Sequence, residues 1–204
     1  MPATATIASY QVVYQVTRYQ SPPAVDEIEV SRPYLGRYVE RQGVKTVEGW
    51  LTNTSGGWYW NQNGWSRIGL GEQPATDDYD LIPPLRLALS LGDAYVIGHR
   101  SVLGRNCTLV RTGSPIGEPL AAATPGNYDD ICVDPTGVEL TDRWVYKSKL
   151  LQTKTATSFD PGAMFSPATF AAKPAGPTLS PSLLQSASLN EATSAFATLP
   201  YLLR

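Results

Sequence analysis

The stretch CVDPTGVEL, residues 132–140, contains a reverse turn between two short strands. In its centre, Pro135 presets φ for the second turn position, the Asp134 side chain can bond the local backbone, and Gly137 accepts a positive φ. Apolar residues alternate with other residues on both sides of the turn, which indicates a β-hairpin. One strand of this hairpin contains Cys132.

The two cysteines of the chain bear on its compartment. Cys107 lies in GRNCTLV and Cys132 in DDICVD, two strand patterns joined by one long loop. If these strands pair antiparallel, the cysteines can face each other, and a disulfide would stabilise the fold by roughly 3–4 kcal/mol. The alternative is a pair of buried thiols in a cytosolic protein. We favour the disulfide, which implies export to an oxidising compartment.

Length and composition exclude several classes of protein. The chain has 204 residues, 42% of them hydrophobic, and a net charge of −2 from 16 basic and 18 acidic residues. No basic stripe is present, which argues against a nucleic-acid partner. No apolar run approaches the ~18 residues of a membrane span. The opening MPATATIASY lacks the features of a signal peptide, so we expect an export signal to be absent from this chain.

Period-two alternation dominates residues 8–160 and predicts a mainly β (α+β) fold. The run YQVVYQVTRY places Tyr14 and Val16 on one face of a half-buried strand. Residues 83–91 change to a helical period: prolines suit the first turn, Gly92 suits the C-terminal cap, and most of its faces are apolar. The sequence therefore predicts an antiparallel sheet with one short, buried helix.

The composition changes after residue 160. Residues 161–188 contain five prolines and many Ala, Ser and Thr, which indicates a proline-rich linker. Residues 189–204 resemble a short helix followed by an apolar stub, as at the start of a truncated second domain. We therefore expect one domain over residues 8–160 and a Pro/Ala/Ser-rich C-terminal extension.

Few residues can support catalysis. The single histidine, His99, lies in a strand pattern, and no serine lies in a nucleophile motif. One histidine and two cysteines also make a zinc site improbable. Acidic clusters at residues 77–80 and 129–134 lack the spacing of a known calcium loop. We expect no catalytic residues, no metal ligands and no cofactor.

Aromatic residues gather around the turn at Asn63-Gly64. Trp58 and Trp60 share a face of one short strand, and the hairpin brings Trp65 opposite them. These side chains can form part of the sheet core, which aromatic pairs stabilise. They can also form the wall of an apolar cavity, and the sequence leaves both interpretations open.

Two motifs resemble a known superfamily. In VLGRNCTLV, the residues Val102, Gly104, Arg105, Cys107 and Val110 are similar to one strand of the lipoprotein-carrier half-barrels, the LolA/LolB and RseB superfamily. In ICVDPTGVEL, the residues Val133, Asp134, Thr136, Gly137 and Leu140 are similar to the strand and turn that follow it there. Cys132 stands where this superfamily often has an aromatic residue, a departure consistent with a disulfide to Cys107.

The resemblance implies a curved sheet, or half-barrel, that encloses the helix and an apolar cavity. It implies a non-catalytic, extracytoplasmic monomer in the periplasm or cell envelope, with or without a lipid anchor, that binds a lipid, an acyl chain or a lipoprotein anchor. The alternative it implies is an RseB-like regulatory sensor that binds an anti-sigma factor or another envelope protein. The residues expected to line the cavity are Tyr14, Val16, Trp58, Trp60, Trp65, Leu85 and Leu89.

Overall fold

Eleven strands and two helices occupy the part of the chain that the computed structural model describes, namely residues 7–32, 35–68, 81–113, 123–171 and 176–178. The strands are β1 (Ser9–Arg18), β2 (Ala24–Ser31), β3 (Leu35–Gln42), β4 (Lys45–Asn53), β5 (Gly56–Asn61), β6 (Gly64–Ile68), β7 (Ala94–Val102), β8 (Arg105–Thr112), β9 (Tyr128–Val133), β10 (Glu139–Tyr146) and β11 (Lys149–Pro161). The helices are α1 (Ile82–Leu91) and α2 (Pro167–Ala171).

All eleven strands belong to one antiparallel sheet with the order β6-β5-β4-β3-β2-β1-β11-β10-β9-β8-β7. The sheet has two halves, β1 to β6 and β7 to β11, and within each half consecutive strands pair with each other. The halves are joined where β1 pairs with β11. The sheet does not close into a barrel, so β6 and β7 form its two edges. The predicted fold class, a mainly β curved half-barrel with a short helix, is confirmed.

The face of the sheet that carries α1 is called the inner face here. Strand register identifies it, because directly paired residues of neighbouring antiparallel strands point to the same side. One row of paired residues runs from Val16 through Lys154, Asp142 and Ile131 to Val110. Ile131 and Val110 pack against α1. The row therefore places Val16 and the buried charged residues beside it on the helix side of the sheet.

Two hydrophobic clusters form the core. The helix cluster joins buried residues of α1 to β7, β8 and β9: Ile82, Leu85, Ala88, Ala94, Val110, Ile131 and Val133. The aromatic cluster draws mainly on β1 to β5 and on the segment around the DPTG turn: Tyr10, Val12, Tyr14, Val16, Ala24, Ile28, Val30, Tyr38, Trp50, Tyr59, Cys107, Cys132, Val138, Leu140 and Ala156. The turn and its disulfide thus belong to the main core of the protein.

The DPTG turn forms as its residues predict. Gly137 has a φ of 93°, and its N–H donates to the carbonyl of Asp134 at 3.0 Å. The carboxylate Oδ1 of Asp134 accepts from the backbone N–H groups of Thr136 at 2.9 Å and Val138 at 3.0 Å. Its Oδ2 accepts two hydrogen bonds from the Arg105 guanidinium, at 2.8 and 2.6 Å. Asp134 therefore connects the turn to β8.

The disulfide and the helix also agree with their predictions. Cys107 in β8 and Cys132 in β9 form a disulfide with Cα atoms 5.5 Å apart. Helix α1 begins at Ile82, one residue before its predicted start, and ends at Leu91 as predicted. Gly92 follows with a φ of 79°, the left-handed conformation that glycine adopts without strain. Neither helix among the described residues has the length and apolar content needed to cross a membrane.

Part of the expected linker lies against the sheet. Phe170 in α2 is buried, and its carbonyl accepts a hydrogen bond from the Asn53 side chain at 2.6 Å. Further along, the carbonyl of Pro177 accepts from the Trp65 backbone N–H at 2.8 Å, beside the edge strand β6. Residues 189–204 lie outside the described part of the chain, and the predicted domain boundaries stay a prediction.

Candidate functional site

The residues predicted to line a cavity are divided between the two faces of the sheet. Tyr14 and Val16 lie on the inner face of β1 and are fully buried. In β5, the inner-face residue is Tyr59, because the register links it through β4, β3 and β2 to Val12 of β1. Its neighbours Trp58 and Trp60 must therefore point to the outer face.

Contacts of the tryptophans agree with this placement. A Cβ atom added at Gly49, the residue paired with Trp60, would lie 2.2 Å from Cζ2 of that indole, so Trp60 lies flat over the glycine. Trp65, opposite Trp60 in the hairpin, donates its indole N–H to the carbonyl of Gly176 at 2.8 Å. The sequence pattern correctly places Trp58 and Trp60 on one face, but an alternation of period two does not say which face is the inner one.

Leu85 and Leu89 lie at the other end of the inner face. Leu85 is fully buried and Leu89 is partly buried, both in the helix cluster. Lys154 and Asp142 lie between Val16 and the helix cluster along the row of paired residues. The seven predicted residues therefore do not form one continuous wall, and the binding role of each stays a prediction.

The inner face of β1 to β5 carries a row of apolar and aromatic side chains that sequence reasoning missed. The row runs across five strands: Val12, Ile28, Tyr38, Trp50 and Tyr59. The ring centroids of Trp50 and Tyr59 are 4.9 Å apart. The indole N–H of Trp50 is buried and has no hydrogen-bond partner among the described residues. We call this set the aromatic row. The alternation of apolar and polar residues in β3 and β4 could have indicated this row in the sequence. Charged residues in the same two strands obscure that alternation.

A second row of side chains lies next to the aromatic row, two residues further along each strand, and most of its members are acidic. Tyr14 of β1 is followed by Asp26 of β2, Glu40 of β3 and Glu48 of β4. The three carboxylates are 4%, 5% and 9% exposed, values more typical of apolar core residues. We call Asp26, Glu40 and Glu48 the acidic row.

Among the described residues, Arg18, two tyrosines and Gln42 contact the acidic row, Gln42 by donating its side-chain amide to Oε1 of Glu40 at 3.3 Å. The guanidinium of Arg18 lies 2.9 Å from Oε2 of Glu40 and 3.6 Å from Oδ2 of Asp26. The Tyr38 hydroxyl donates to Glu40 at 3.2 Å, and the Tyr59 hydroxyl donates to Glu48 at 3.0 Å. These contacts tie the acidic row to the aromatic row, since both tyrosines belong to the latter.

Burial changes the acidity of these groups. It raises the pKa of Asp26 from its ordinary value of 3.8 to about 6, an effect that the nearby Arg18 guanidinium opposes and Glu40 reinforces. Burial, together with Glu48, also raises the pKa of the Tyr59 hydroxyl to about 12. Asp26 therefore takes up a proton at a higher pH than an exposed aspartate does, while Tyr59 stays a hydrogen-bond donor at neutral pH.

A further charged group occupies β9, β10 and β11. Nζ of Lys154 lies 2.7 Å from Oε1 of Glu139, and the Lys154 ammonium is 4.8 Å from the ring centre of Tyr14. Burial raises the pKa of Glu139 despite this cation. Burial also raises the pKa of the Asp129 carboxyl, and the neighbouring Asp142 adds to the shift. The inner face thus carries buried charged side chains both in the acidic row of β2 to β4 and where β1 pairs with β11.

Comparisons with known proteins were informative only for structure. No family model matches the sequence, and no curated protein does either. An uncharacterized conserved protein from Thermus thermophilus has a TM-score of 0.55 at 10% identity, over 83% of this chain and 87% of that one. It shows that the fold is shared.

Two other solved structures are similar at lower scores. MucB, solved with MucA from Pseudomonas aeruginosa, gives a TM-score of 0.49 at 18% identity, over 81% of this chain and 56% of that one. The Mycobacterium tuberculosis lipoprotein LppX gives 0.42 at 11% identity, over 78% and 90%. Proteins with the LolA-like fold are thus among the similar structures, as the resemblance of the two motifs led us to expect. This chain spans little more than half the length of the MucB chain.

Proposed function

We propose that this half-barrel is a non-catalytic, extracytoplasmic binding protein whose inner face takes an acyl chain or the lipid anchor of a lipoprotein. The observation that carries this proposal is the aromatic row, which runs across five strands on the inner face of an open sheet. Its members are buried in the aromatic cluster, so a ligand would bind by replacing contacts within that cluster, in a concave and mostly apolar site of the kind that small molecules use.

The energetics suit a long-chain ligand. Each methylene transferred from water to such a surface contributes about 0.8 kcal/mol. Some ten methylenes would support micromolar affinity only before the cost of association is subtracted. Further apolar contact is therefore required, and the helix cluster beyond the charged residues supplies a second surface of this kind.

The proposed location rests on the disulfide. A bond between Cys107 and Cys132 persists in oxidising compartments and is rare where cellular thiols stay reduced.

The non-catalytic part of the proposal rests on the surroundings of the only histidine. His99 lies exposed on the edge strand β7, and the buried carboxylates of the acidic row lie on β2, β3 and β4.

Tryptophan fluorescence tests the proposal, because Trp50 lies on the inner face and Trp60 on the outer face. Hexadecanoic acid and a triacylated lipopeptide are titrated into the folded protein and into the variants Trp50→Phe and Trp60→Phe. We expect a saturable spectral change that Trp60→Phe retains and Trp50→Phe largely loses. Absence of saturable binding, checked by native mass spectrometry of the same samples, contradicts the proposal.

Binding of an envelope protein is the second candidate, and the edge strand β7 favours it. Tyr95, Val96 and Ile97 are 47%, 48% and 38% exposed on this strand. An exposed, apolar edge can accept an extended segment of another protein as an added strand. Site-specific photo-crosslinking from position 96 in cells tests this candidate. A single cross-linked protein that disappears when the neighbouring Tyr95 and Ile97 are replaced by lysine supports it, and the absence of any specific product counts against it.

A further inference from the structure

Two buried carboxylates of the acidic row share one guanidinium. Asp26 and Glu40 both lie within ion-pair distance of Arg18, at 3.6 and 2.9 Å. A buried charge that is not fully paired is costly, so such groups normally hold a proton or meet a further cation. Burial is the first cause of the raised pKa of Asp26, and the Arg18 and Lys154 cations oppose it without cancelling it.

Two buried polar atoms without a hydrogen-bond partner in the described part of the chain lie at the acidic row. Oδ1 of Asp26 is buried and accepts no hydrogen bond among the described residues. The indole N–H of Trp50, a residue only 9% exposed, donates none there. Trp50 lies two residues from Glu48 on the same face of β4, so this donor lies beside the acidic row. Buried polar atoms in native proteins are nearly always satisfied by protein, water or ligand.

An organic cation fits this arrangement better than a metal ion. No group of three or more potential ligand side chains among the described residues is arranged to hold a metal. An ammonium group suits the site better, because it donates three hydrogen bonds to carboxylates and is attracted to aromatic faces. Trp50, Tyr38 and Tyr59 supply such faces in the adjoining row.

We propose that the inner face binds single-chain lipids with an ammonium head, the head at the acidic row and the chain along the aromatic row. This inference rests on the proposed function and narrows its ligand class. The two rows are two residues apart along each strand, roughly 7 Å, so a head at Asp26 and Glu40 places the first methylenes over Ile28 and Tyr38. An oxygen beside the amine, as in a long-chain amino alcohol, would accept the Trp50 N–H.

The same geometry disfavours a carboxylate head. A fatty-acid anion at the acidic row would lie beside Asp26 and Glu40, and like charges at short range repel strongly where water is scarce. A fatty acid could then bind only with its head elsewhere on the inner face. Chains of equal length and opposite head charge should therefore differ in affinity.

Dodecylamine, dodecanol and dodecanoate, each below its critical micelle concentration, provide the test at pH 7.5. We expect dodecylamine to bind at least tenfold more tightly than dodecanoate, with dodecanol between them. Glu40→Gln and Asp26→Asn should each reduce this preference several-fold. Asp160→Asn, on an exposed residue of β11, should leave it unchanged.

A measurement on the unaltered protein tests the inference without depending on whether the variants fold. Dodecyltrimethylammonium keeps its charge at every pH, so its affinity should fall as the pH is lowered through about 6, where Asp26 gains a proton. Equal affinity for the three dodecyl ligands, or preference for dodecanoate, overturns this inference and leaves the proposed function standing. If none of the three binds and hexadecanoic acid also fails, both proposals are wrong.

Discussion

Nζ of Lys154 lies 2.7 Å from Oε1 of Glu139, and the two side chains are only 10% and 15% exposed. The pair joins β11 to β10 on the inner face, and Lys154 also pairs in register with Asp142. Tyr14 adds β1 to the group by donating its hydroxyl to the Glu139 carbonyl at 2.7 Å. This buried ion pair therefore lies where the two halves of the sheet meet.

Lys154→Met should destabilise the fold by about 3–5 kcal/mol, because it leaves buried carboxylates without their cation. Methionine has a similar length, so lost packing contributes little. The free energy of unfolding from urea titration measures the effect. Lys149→Met, at an exposed position of β11, serves as the control and should change stability by less than about 0.5 kcal/mol.

The double variant Lys154→Met with Glu139→Gln separates charge from shape. It removes both charges, so we expect it to recover much of the stability that Lys154→Met loses. If the double variant is as unstable as the single one, the ion pair is not the cause.

Local sequence signals predicted the fold well. The DPTG turn predicted one hairpin, the prolines and Gly92 predicted the ends of α1, and alternation predicted most of the strands. These features depend on neighbouring residues, and a single sequence contains that information. Long-range pairing is different: the contact between β1 and β11 joins distant parts of the chain. Only the family resemblance anticipated the curved sheet.

The candidate site was predicted less well, for a physical reason. Alternation shows that Trp58 and Trp60 share a face, but the inner face is decided by register across five strands, which places Tyr59 there instead. Buried carboxylates were missed because Asp26 and Glu40 have the composition of a solvated surface. Nothing in a single sequence reveals that these two side chains are buried.

Asp134→Ala should cost about 3–5 kcal/mol, since this fully buried carboxylate serves both the turn and Arg105. Asp134→Asn should cost less, because the amide oxygen can still accept from the backbone of the turn. Thermal and urea unfolding of both variants give the comparison. Equal losses for the two variants would mean that the charge opposite Arg105, and not the set of turn bonds, determines the effect.

Removing the disulfide should lower the free energy of unfolding by about 3–4 kcal/mol. Cys107 and Cys132 are 25 residues apart. Closing a loop of this size lowers the conformational entropy of the unfolded chain and so raises its free energy by that amount. Replacing both by serine, or reducing the bond in the unaltered protein, tests the expectation by urea titration. Both routes should agree, because the effect acts mainly on the unfolded state. Two alkylatable thiols in protein recovered from its native compartment would instead contradict export.

Asp26 should make the protein more stable as the pH falls from about 6 towards 4. Its pKa is about 6 in the folded protein and near 3.8 in the unfolded chain, so the folded state binds the proton more tightly. Stability from this group is then complete below the unfolded pKa and is lost as the pH rises through 6. The groups that act on Asp26 are Arg18, Glu40, Lys154 and Tyr38.

The variant Asp26→Asn isolates this contribution from other titrating groups. Asparagine has no proton to exchange, so the stability of the variant relative to the unaltered protein should rise between pH 4.5 and pH 8, by about 2 kcal/mol. The difference between the two proteins is the quantity to measure, since the lost contact with Arg18 shifts it by a constant amount while that guanidinium stays charged. Urea titrations at five pH values, with Asp160→Asn as the exposed control, give the slope. A difference independent of pH would show that Asp26 is ionised in the fold as easily as in the unfolded chain, which would remove the main electrostatic reason for a cation at the acidic row.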